Sequence, residues 1–67
     1  MNDSWVERAV TVFCGPHVNN FNVACNSETV YVENIGHTPP VCVFIGSDAE
    51  LRRAKPDLYR ALQVALR

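Results

Sequence analysis

Sixty-seven residues with a net charge of −1, 48% hydrophobic and 19% charged side chains, make one domain (1–67) near the lower size limit for a self-supporting core. That composition excludes a disordered chain, and no run approaches the roughly 20 apolar residues that a membrane-spanning helix needs. The start, Met1-Asn2-Asp3-Ser4, lacks the basic segment of a secretory leader, and an odd cysteine count (Cys14, Cys25, Cys42) suits a reduced, cytoplasmic setting.

In chain order, about 5–14 reads as a strand. Val6, Val10, Val12 and Cys14 share one parity, while the other mixes Glu7 and Thr11 with Ala9 and Phe13. Such partial alternation predicts a strand covered on both faces for part of its length. Gly15-Pro16 ends it. A hairpin follows over about 21–25 and 29–35, turning at Asn26-Ser27-Glu28, with Phe21, Val23, Cys25, Val30 and Val32 alternating against other residues. The asparagines at 19, 20, 22, 26 and 34 read as loop and turn residues. Gly36 to Pro40 is an irregular link, because two prolines remove two backbone donors. The continuous apolar run at about 41–45 predicts a strand that is central or covered on both faces.

Ser47-Asp48-Ala49-Glu50 has the pattern of a capping box, with Ser47 as N-cap and Glu50 three residues on. Leu51, Ala54, Leu58, Leu62 and Ala65 or Leu66 then recur at helical spacing. Pro56 divides that pattern into helices over about 48–54 and 56–66, since proline is tolerated in a first turn but not in a helix interior. The expected fold is α+β: a small three- to four-stranded, mostly antiparallel sheet with a C-terminal helical segment packed on one face. Trp5 is expected to cap the core in preference to anchoring an interface, and Tyr59 to pack at the edge of the apolar stripe with its hydroxyl wet.

Charge is divided along the chain. Residues 52–67 carry Arg52, Arg53, Lys55, Arg60 and Arg67 against Asp57, whereas 1–51 carry six acids against Arg8. Arg53, Arg60 and Arg67 are seven apart, so on a continuous helix they form a stripe flanked by Arg52 and Lys55. The expected function is a small non-enzymatic protein-interaction module, an inhibitor or regulator of phage or plasmid type, whose partner is another protein or a second copy. The same arginines suit a nucleic-acid accessory protein, although a net charge of −1 and few aromatics among the cations weigh against it.

Two further constellations involve cysteine and histidine. Cys14, His17, His37 and Cys42 offer two thiols and two imidazoles, the donor set of a tetrahedral zinc staple. Against that stands the apolar parity of Cys14, because buried free cysteine behaves as a small hydrophobe; no cofactor is the favoured expectation. Cys14-Gly15-Pro16-His17 after a strand resembles the redox tetrad of thioredoxin-like proteins. Here histidine replaces the resolving cysteine, and 18–26 reads as turn and strand where that family needs a helix. Cys14 with His17 or His37 as a nucleophile and base lacks a third orienting group, so no enzymatic role is expected.

Overall fold

A computed structural model describes residues 4–14 and 16–67 of the chain, without the side chain of Cys14. Four strands, β1 (Val6–Cys14), β2 (His17–Cys25), β3 (Val30–Asn34) and β4 (Val41–Gly46), precede two helices, α1 (Asp48–Ala54) and α2 (Pro56–Ala65). The strands form one antiparallel sheet in the order β1-β2-β3-β4, so each pairs with its neighbour in sequence. The α+β class is thereby established.

Register assigns the two faces. One row crosses the sheet through Arg8, Val23, Val32 and Phe44, and the next through Val6, Cys25, Val30 and Gly46. This is the face that the helices cover. Val10, Val12, Phe21, Val23 and Val32 are buried there against Leu51 of α1 and Leu62 of α2. Val32, at the centre of the sheet, has no exposed surface. Val43, Phe44, Leu58, Tyr59, Ala61, Ala65 and Leu66 pack around that cluster half-buried.

Local chemistry explains the connections. Asn26 Oδ1 accepts from the backbone N–H groups of Glu28 (2.9 Å) and Thr29 (2.7 Å), fixing the β2–β3 turn where the sequence placed it. In the β3–β4 link, which contains a cis Thr38–Pro39 bond, Asn34 Oδ1 accepts from Gly36 N at 2.9 Å. Ser47 Oγ caps α1 by accepting from Glu50 N (3.1 Å) and donates to the Glu50 carboxylate. Lys55, at φ −136° and ψ 68°, separates the helices, and Pro56 opens α2.

Several sequence expectations are corrected. β2 begins at His17 instead of about 21, so Asn19 and Asn20 lie within a strand and not in a loop. Asn20 and Asn22 point to the uncovered face, where amide side chains meet Thr11 (3.1 Å) and Glu7 (3.0 Å). β1 and β4 are the two edges, and neither is covered on both faces: Phe13 is 73% exposed and Ile45 63%. Ala54 faces solvent despite its place in the helical pattern. Trp5 is half exposed beside the open face instead of filling the core.

Candidate functional site

The five cations of the C-terminal region sit on or beside the helices, and all are exposed. Arg52 and Arg53 occupy the last turn of α1, where positive charge complements the helix dipole. Arg52 lies over the ring of Tyr59, 5.9 Å from its centroid, an arrangement that holds the guanidinium by cation–π attraction. The Tyr59 hydroxyl in turn donates to Asp48 Oδ2 at 3.4 Å, linking α2 to the start of α1. Among the described residues no side-chain hydrogen bond or ion pair engages the side chains of Arg53, Lys55, Arg60 or Arg67.

A continuous stripe does not form. The non-helical backbone at Lys55 interrupts the phase between Arg53 on α1 and Arg60 on α2, and Arg67 lies past the end of α2. What results is a basic patch distributed over two short helices. Arg60 stands apart in facing a groove of about 410 Å³ between α2 and β1, which Thr11, Val12, Phe13, Asp57 and Val64 also line.

The opposite face of the sheet has no helix over it. Its rows run Glu7–Ala24–Tyr31–Ile45 and Ala9–Asn22–Glu33–Cys42, with Thr11 beside Asn20 and Phe13 beside Val18 at the β1–β2 turn. Trp5, Ala24, Tyr31 and Ile45 outline a shallow concavity that Glu7 borders. Tyr31 donates to Glu33 Oε2 at 2.9 Å. That bond, with partial desolvation and the nearby carboxylate charge, pushes the phenol pKa up to about 12. Alternation had assigned this face its polar residues. Its apolar members, Trp5, Phe13, Val18, Tyr31 and Ile45, come together only through the register of the four strands.

Of the cysteine and histidine constellations, the described residues include the side chains of His17, His37 and Cys42. Among all the described residues, no group of three or more His, Cys, Asp or Glu side chains is placed to hold a metal ion. Cys42 lies on the open face opposite Glu33, and Cys25 is half-buried on the helix face. The side chain of Cys14, common to the zinc, nucleophile and tetrad readings, lies outside the described residues. Cys14 and His17 are register partners at the end of the β1–β2 hairpin. His17 therefore opens a strand that pairs back on β1 and no helix, unlike the thioredoxin arrangement.

No helix among the described residues is long and apolar enough to cross a membrane. In comparison with known proteins, the chain matches no family model, no curated protein and no solved structure.

Proposed function

We propose that the chain is a non-enzymatic protein-interaction domain that regulates or inhibits its partner, docking an acidic protein surface on the basic patch of Arg52, Arg53, Lys55, Arg60 and Arg67. The observation that carries this reading is that the side chains of four of these cations, Arg53, Lys55, Arg60 and Arg67, have no intramolecular partner among the described residues. An exposed cation whose side chain is unengaged keeps its charge available to a partner. Glu7 and Glu33 are tied to Asn22 and Tyr31 on the far side of the sheet. The patch attracts negative charge, and Arg52, already steadied on Tyr59, loses less freedom when it binds.

The test is charge reversal. Arg53→Glu with Arg60→Glu changes two exposed side chains and leaves the core intact. Partner captured by the wild-type chain is expected to escape the double variant, and its affinity for wild type to fall as salt rises. Equal affinity for both chains would end the proposal. Labelled duplex and single-stranded nucleic acids in the same titration separate phosphate from carboxylate as the ligand, since counterion release gives phosphate binding a steep salt slope.

A further inference from the structure

The two edges of the sheet differ in a way that bears on self-association. β4 is short, follows Pro39 and Pro40, and has an irregularity where the register passes from Val32↔Phe44 to Glu33↔Cys42, leaving Val43 as an extra residue. Proline, shortness and a bulge are ordinary defences of an edge. β1 has none of them. It runs nine residues without proline or glycine, in unbroken register with β2.

The direction of its unpaired groups follows from one hydrogen bond. Ile35 N donates to the carbonyl of Asn20 at 2.9 Å, so Asn20 turns its backbone toward β3 and away from its β1 partner Thr11. Antiparallel ladders alternate bonded and non-bonded pairs. Arg8, Val10 and Val12 therefore bond to β2, and Glu7, Ala9, Thr11 and Phe13 direct their N–H and C=O groups outward. Charged side chains commonly guard such an edge, but here both are drawn back into the fold. Glu7 Oε1 accepts from Asn22 Nδ2 (3.0 Å), and Arg8 Nη1 donates to the Leu66 carbonyl (3.0 Å) beyond the end of α2. Exposed apolar side chains border the same edge: Val6, Phe13 with Val18 beside it, and Val64 across the groove.

We infer that the β1 edge takes the β1 edge of a second copy, in antiparallel register about Val10, joining two sheets into one. About that centre Glu7 stands opposite Phe13 of the other copy and Ala9 opposite Thr11, so every outward residue meets an outward residue. Twofold pairing of this kind is the commonest closed form of self-association. Charge favours a second copy over the acidic partner proposed for the helices. The edge carries one acid and one base (Glu7, Arg8), and so does the groove beside it (Asp57, Arg60). Such a balanced surface suits its own copy, whereas a uniformly acidic one would meet Glu7 and Asp57. Apart from Arg60, which lines the groove beside the edge, this inference shares no residue with the helix-side contact.

The test is the mass of the reduced 67-residue chain in solution, over a wide concentration series, by light scattering or sedimentation. Wild type is expected at about 15 kDa, twice its 7.5 kDa chain mass. Ala9→Pro removes an outward N–H that no internal bond uses, and Phe13→Asp sets a carboxylate opposite the other copy's Glu7. Both variants are expected to be monomers with an unchanged circular dichroism spectrum. Hydrogen exchange on wild type supplies a readout that does not depend on either variant folding. The amides of Ala9 and Thr11 should gain protection as concentration rises. A wild type that is monomeric at every concentration would overturn the inference, as would a dimer untouched by Phe13→Asp or outward amides that exchange freely in the dimer.

Discussion

Leu62 and Val64 lie two residues apart on α2 and provide a sharp test of how the helix is seated. Leu62 is 2% exposed within the core cluster, and Val64 is 59% exposed. Truncating a buried leucine to alanine costs about 2–5 kcal/mol, through lost transfer energy and the cavity left behind. At about 0.05–0.15 kcal/mol per residue, a chain of this length has only about 3–10 kcal/mol of total stability. Leu62→Ala is therefore expected to remove around half of it. For a domain this small about 1 kcal/mol corresponds to about 4–8 °C, so a loss near 3 kcal/mol lowers Tm by about 12–24 °C. Val64→Ala, at an exposed site, should stay within about 0.5 kcal/mol of wild type. Urea titration followed by circular dichroism reads both, with midpoints compared at matched slopes. If Leu62→Ala costs under about 1 kcal/mol, or if Val64→Ala costs as much, then α2 meets the sheet through a different face and the core described above is wrong.

Ser47→Ala deletes the oxygen that accepts from Glu50 N and should cost about 1 kcal/mol in the same urea assay, whereas Ser47→Asp, which keeps an acceptor, should restore most of it. A neutral result for Ser47→Ala would show that α1 is held by Leu51 alone. Tyr31 gives the pH prediction. Its folded pKa of about 12 lies above the 10.0 of an unperturbed phenol, so the contribution to stability is complete below pH 10 and is lost as pH rises toward 12. In an NMR titration Tyr31 is expected to ionise near 12 in wild type and closer to 10 in Glu33→Ala; titration near 10 in wild type would mean that the bond to Glu33 does not form in solution.

The helical half of the fold was legible because its signals are local. A cap, a proline and a spacing of three and four act within one or two turns, and Ser47, Pro56 and Leu62 each do what their positions imply. The start of β2 was not legible because Asn19 and Asn20 favour turns by intrinsic preference. In the strand, the side chains of Asn20 and Asn22 have partners that β1 supplies, Thr11 and Glu7. Edge position was hidden for a related reason. Val41 to Ile45 is apolar on both parities, which ordinarily marks a covered strand, and nothing within the run reveals that a neighbour exists on one side alone. For the site, sequence supplied the cations but not their arrangement. The heptad spacing of Arg53, Arg60 and Arg67 has meaning only on an unbroken helix, and Lys55 breaks it.

The order of elements also governs how the chain is made. The apolar face formed by Val10, Val12, Phe21, Val23 and Val32 is complete once β3 has emerged from a ribosome, but α2, which supplies Leu62, follows more than twenty residues later. During that interval hairpins can form while their greasy side is bare, since nothing synthesised earlier is able to shield it. A nascent chain halted before Pro56 should accordingly attract holdase chaperones, and release from them should coincide with the appearance of α2.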